Sequence, residues 1–216
     1  MNIEKFIKLC GASLKDSTFI VVKQIEWLEI LNTQISELFP DIAILHNSTI
    51  SLATMDPALM YIDMSELNED LTEKYPNLIG IKNLYLVRSD DSKVPFSNWS
   101  FDSDIKLLKL NVSSRDDEEI ASIDDSIQIV WYGEMELKTT YDQDIELNNA
   151  QTQLLKKACL KEMISRVLLD KTKLDRYKTL VGSANEYVLI ALQKTLNDEV
   201  EFSKRKRNNT LPVRSF

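Results

Sequence analysis

Between Ile25 and Phe39 the apolar residues Ile25, Leu28, Leu31, Ile35, Leu38 and Phe39 recur at helical spacing, and Pro40-Asp41 ends the run. A stripe of this period is the buried face of an amphipathic helix. Residues 1–14 carry a shorter version of it, stopped around Gly11 to Ser17. From Thr49 onward the spacing changes. Short β-rich runs lie at Ile50–Met55, Leu59–Met64, Ile79–Val87, Asp104–Val112 and Ile127–Leu137, the last alternating about Trp131 and Tyr132, with Asp56-Pro57 as a turn. Runs of this kind predict a small antiparallel sheet over residues 49–140. Within it, Ser65 to Tyr75 is expected to form a helical turn and Ser113 to Asp125 an acidic loop.

After Asp144 the helical period returns. Leu154, Leu155, Ala158, Met163, Ile164 and Val167 mark a helix over about 147–169, and Leu174, Tyr177, Leu180, Val181, Ala184, Tyr187, Val188 and Leu196 mark a second long one. The polar link Asp170 to Lys173 is short enough to make the two antiparallel neighbours. Ser203 to Phe216 shows no period. The expected fold is α+β. Residues 1–45 and 145–202 form a helical bundle, from the early helix and a long C-terminal helical hairpin. Residues 49–140 are an inserted antiparallel β-rich lobe, and 203–216 a basic, extended C-terminal arm. The motive is that the early helix has no sequence-adjacent helix of similar strength to cover its stripe.

Charge adds a polarity to this plan. The chain of 216 residues has a formal net charge of −8, yet Lys204, Arg205, Lys206, Arg207 and Arg214 put +5 on residues 204–216, which hold no acid, leaving −13 on the rest. An acidic body repels phosphate backbones, and a basic end seeks acidic or phosphate partners. No run approaches the apolar length of a membrane span. The first ten residues lack the apolar core of a secretory signal, so synthesis in the cytoplasm is expected.

Catalytic patterns are missing. The one histidine, His46, has no second histidine or cysteine at ligand spacing, and Cys10 and Cys159 stand far apart in the chain, as reduced core thiols do. The four glycines Gly11, Gly80, Gly133 and Gly182 are scattered, so no phosphate-cradling loop and no nucleophile elbow is present. Asp142, Asp144, Glu146 and Asn148 imitate the odd positions of a calcium loop but lack its central glycine, and Gln153 stands where a bidentate glutamate belongs. Trp27, Trp99 and Trp131 are not interleaved with bases as single-strand binders require. No catalytic residue, cofactor site or metal site is expected. The remaining sharp feature is the basic end. Its charges provide steering, and Leu211, Val213 and Phe216 provide apolar anchors around Pro212, a composition that cannot fold alone.

Leu31-Asn32 followed by the stop Phe39-Pro40-Asp41, the β-rich insertion, and Asp175-Arg176-Tyr177 within the later helices resemble the head-to-tail adaptor family of bacteriophages. That group includes the tail tubular and tail accessory proteins of short-tailed phages. The resemblance implies a structural virion protein of the neck, not an enzyme. It implies a dodecameric ring beneath the portal protein and above a downstream tail or nozzle protein, with DNA passing through the lumen without specific binding. It also implies partner-binding residues in the tail, on the portal or a neighbouring subunit: Lys204, Arg205, Lys206, Arg207, Leu211, Val213, Arg214 and Phe216. The competing expectations are a nucleic-acid-binding accessory protein that uses the basic tail, and a neck or tail-completion protein of a long-tailed phage.

Overall fold

The computed structural model describes residues 1–51, 61–64, 78–102, 104–105, 107–110, 125–182 and 186–208. Among them the chain is mixed α+β, with five helices and two antiparallel sheets. It divides into two compact units, one made of Met1–Ile42 with Met135–Phe216, the other of Ala43–Glu134.

In the first unit, α1 (Ile3–Ser13) starts where the Asn2 side chain accepts the Lys5 N–H at 3.0 Å, satisfying one of the helix's orphan donors. Ile3, Phe6, Ile7 and Cys10 form its buried stripe. Beyond it the chain turns on Asp16, which is buried and whose carboxylate accepts the backbone N–H groups of Ile20, Val21 and Val22 at 2.8–3.2 Å. A buried carboxylate is tolerated here because N–H groups surround it. The next helix, α2 (Gln24–Glu37), buries Trp27, Leu28, Ile30, Leu31, Gln34 and Ile35. Of the expected stripe Leu28, Leu31, Ile35 and Leu38 are buried; Ile25 is half exposed, and Trp27 and Ile30 widen the buried face. Helix α3 (Asn149–Leu169) is opened by a reciprocal cap between Asn148 and Gln151. It buries Leu154, Leu155, Ala158, Cys159, Leu160, Met163, Ile164 and Val167, on more than one face, because α1, α2 and two later helices all pack on it.

The second long helix expected from sequence is two helices, α4 (Lys171–Val181) and α5 (Glu186–Asn208). Gly182, at φ 94°, stands at the end of α4 in a conformation L-residues avoid. The polar link before α4 shrinks to Asp170, which caps α4 by accepting the N–H groups of Thr172 and Lys173. The arm boundary also moves. Helix α5 continues through Ser203 to Asn208, since the Glu186–Asn208 stretch holds no proline or glycine to stop it.

Among its described residues the second unit has seven strands: β1 (Ile44–Ser51), β2 (Tyr61–Asp63), β3 (Gly80–Val87), β4 (Lys93–Phe96), β5 (Trp99–Asp102), β6 (Leu107–Leu110) and β7 (Ser126–Gly133). One sheet runs β1-β7-β3-β4 and the other β2-β6-β5. Alternation puts Ile127, Ile129 and Trp131 of β7 inward, and these meet Leu84, Phe96, Ile62, Leu108 and Leu110 in one cluster drawn from both sheets. Strands β4 and β5 were not anticipated, and β1 begins at Ile44 instead of Ile50. The expected strand ends at 52–55 and 111–112, the helical turn at 65–75 and most of the acidic loop, 113–124, lie outside the described residues.

Candidate assembly surface

Helix α5 buries Leu189, Leu196 and Val200, a stripe seven and four residues apart, as helical geometry requires for one face. It packs on α3 in the opposite direction. Leu189 shares a small apolar pocket with Ile164 and Val167 near the end of α3, while Glu199 Oε2 lies 3.1 Å from Lys157 Nζ, nearer its middle. The basic end of α5 is therefore carried back toward the start of α3. There Lys204, a third exposed, reaches Glu201 at 4.0 Å, and Arg205 is exposed. Lys206 and Arg207 belong to the same helix, whereas Leu211, Val213, Arg214 and Phe216 lie outside the described residues. Cations in a last helical turn face the negative end of the helix dipole, which is worth about 0.3–1 kcal/mol each. The bases thus have a local role as well as an outward one.

Sequence reasoning missed the exposed apolar side chains of these helices. Phe202 is 69% exposed immediately before the basic run, Tyr187 is 83% exposed, and Leu169, at the end of α3, is 85% exposed. The signal for one of them was present. Four successive apolar residues, Tyr187-Val188-Leu189-Ile190, cannot all share one helical face, and Leu189 is the one that is buried.

A second charged segment leads into α3. Its backbone is fixed by the first residues of the chain, with Glu4 N–H donating to the Tyr141 carbonyl, Ile3 N–H to Gln143 and Ile145 N–H to Met1, at 2.8–3.0 Å. Asp142, Asp144 and Glu146 are all exposed on it. A hydrogen bond from Thr140 holds the Asp142 carboxyl below its ordinary range. Among the described residues no three His, Cys, Asp or Glu side chains gather in a group that could hold a metal ion.

Other groups with chemical potential serve packing. His46 stacks on Trp131 with ring centroids 4.5 Å apart, and its Nε2 lies 3.1 Å from the Glu134 carbonyl. The Trp131 indole donates to Ser48 Oγ at 3.0 Å. A side chain at Gly133 would meet Trp131 at 2.4 Å, so glycine is what admits this stack. Burial pushes the Cys10 thiol up to about 12 and the Cys159 thiol up as well, so neither is a nucleophile at neutral pH. No described helix is long and apolar enough to cross a membrane. No family model matches the chain, and no curated protein matches it.

Proposed function

We propose that this chain is a structural virion protein, a head-to-tail adaptor that forms a dodecameric ring beneath a portal protein, joins capsid to tail and lines part of the DNA channel. The observation that carries the proposal is the layout of the chain. A β-rich unit is inserted into a helical one, and the last helix of that unit ends in four consecutive bases. In this reading α3 with α4 and α5 is the hairpin of a bundle, and residues beyond α5 are the tail. Lys204, Arg205, Lys206 and Arg207 steer docking, and Leu211, Val213, Arg214 and Phe216 complete it on the portal or a neighbour. An acidic body suits a lumen through which DNA slides, since each Lys or Arg contact to phosphate adds affinity through counterion release. The portal above, a tail or nozzle protein below and the virion neck as location belong to the same proposal, which assigns no catalysis and no cofactor.

The test is portal capture by full-length and truncated chains. Truncation after Ser203 keeps Leu189, Leu196 and Val200, the residues that pack α5. The truncated chain is expected to fold and to lose portal binding, and capture equal to that of the full chain would reject the docking role. The basic run also favours a second reading, a nucleic-acid-binding accessory protein. Salt-dependent DNA binding that vanishes with the same truncation, without portal capture, would select it.

A further inference from the structure

We infer that the basic end of α5 docks on the acidic segment Asp142–Glu146 of a second copy of this chain, head to tail. This rests on the ring reading for its closed geometry. It goes further by naming the two surfaces that meet.

Three observations carry it. The charges are complementary: Lys204 and Arg205 stand on the last turns of α5, and Asp142, Asp144 and Glu146 stand on the segment just ahead of α3, all within the same compact unit. The basic end of α5 also runs toward the end of α3 that the acidic segment leads into. The pair Lys157–Glu199 fixes the register of the antiparallel helices. From there Arg205 is about 9 Å further along α5 and the start of α3 about 12 Å further back, at ~1.5 Å per residue. Surfaces toward the same end of a unit can meet when identical units stand side by side about an axis. Finally, among the described residues no ion pair joins the two clusters. Lys204 approaches Glu201 at 4.0 Å, Asp144 faces the Met1 amino group at 3.5 Å, and Arg205 and Glu146 have no ion-pair partner among the described residues. Phe202, exposed beside the bases, gives the contact an apolar element that charge alone lacks.

Two different patches meeting make a heterologous interface, which closes into a ring when the rotation allows. Exposed ion pairs are individually weak and screened by salt, so the contact gains strength by repetition around the ring.

The experiment is a charge swap in the full chain, read by native mass spectrometry and light scattering. Reversing all four bases, Lys204→Glu, Arg205→Glu, Lys206→Glu and Arg207→Glu, makes both surfaces acidic, and Asp144→Lys with Glu146→Lys makes both basic. Each variant alone is expected to lose the wild-type oligomer. An equimolar mixture is expected to regain it, because alternating copies restore every attractive contact. Recovery on mixing also shows that neither variant failed to fold. If both variants assemble like wild type, or if the mixture stays dissociated, the proposed contact is wrong while the wild-type ring stands. Wild type that remains monomeric up to its solubility limit overturns the contact and the ring together. Open chains of indefinite length with full charge rescue uphold the contact and overturn the ring.

Discussion

Asn32 sits on α2 with its amide laid against a peptide group. Its Nδ2 donates to the Lys138 carbonyl and its Oδ1 accepts the Lys138 N–H, both at 2.8 Å. The side chain thereby mimics a strand neighbour and ties the returning chain to the helix. Asn32→Asp keeps the shape but sets a carboxylate oxygen against the carbonyl, and is expected to cost roughly 2–3 kcal/mol in urea unfolding; an unchanged midpoint would dismiss the clasp. A second residue-scale tie is the ion pair of Glu26 with Lys173, both partly buried. Burial raises the Glu26 carboxyl, but the Lys173 hydrogen bond, the Lys23 backbone N–H and the charges of both lysines outweigh it, and the net shift is downward. A carboxyl lowered in the folded state contributes stability above its unfolded value and loses it as pH falls through the folded one. Glu26→Gln is expected to cost about 1 kcal/mol at pH 7. The gap to wild type should shrink as pH drops below the ordinary glutamate range, and a gap constant between pH 7 and pH 3 would contradict the assignment.

Among elements, the break between α4 and α5 is the sharpest departure from what periodicity implies. A single apolar rhythm from Leu174 to Leu196 reads as one helix, and only Gly182 inside it signals an end. Its φ of 94° lies where a Cβ is disfavoured, so Gly182→Ala is expected to destabilise by about 1–3 kcal/mol. If alanine instead raises the unfolding midpoint, the break is no more than a frayed helix. Helices α1, α2 and α3 were legible because each buries residues at helical spacing and each starts at a side-chain cap or a polar turn. Strands β4 and β5 were not, because Pro95 and the two-residue link Ser97-Asn98 disguise four-residue strands, too short for alternation to register. The start of β1 was hidden by His46, Asn47 and Ser48. Ser48 is buried as the acceptor of the Trp131 indole, a long-range reason that no local pattern carries. Of the candidate surface, the basic run was legible as charge, but its helical state depended on α5 continuing past Val200. That the basic end of α5 runs toward the end of α3 into which Asp142, Asp144 and Glu146 lead required the register of α5 on α3.

At the scale of the whole molecule, the β-rich unit enters and leaves through one paired point. Strands β1 and β7 are antiparallel over their full length, with Ile44 opposite Gly133, so the chain departs from Ile42 and returns at Met135 from adjacent positions. Paired Cα atoms in such a ladder stand about 4.5–5.5 Å apart, a gap that a few residues span. An insertion with neighbouring ends places little entropic demand on the unit that hosts it, because closing a short link costs less than closing a long loop. The helical unit also has its own core, centred on α3, whose Leu155, Ala158, Cys159, Met163 and Ile164 are fully buried. Replacing residues 43–134 with a short Gly-Ser linker is therefore expected to leave a cooperatively folding helical protein, with the far-ultraviolet signal of α1 to α5 and a single urea transition. The acidic segment and the basic end of α5 remain in this shortened chain, so the proposed contact between copies predicts that it self-associates in a salt-dependent way. A shortened chain with helical signal but no cooperative transition would mean that the β-rich unit supplies part of the helical core, and the two-unit division would have to be withdrawn.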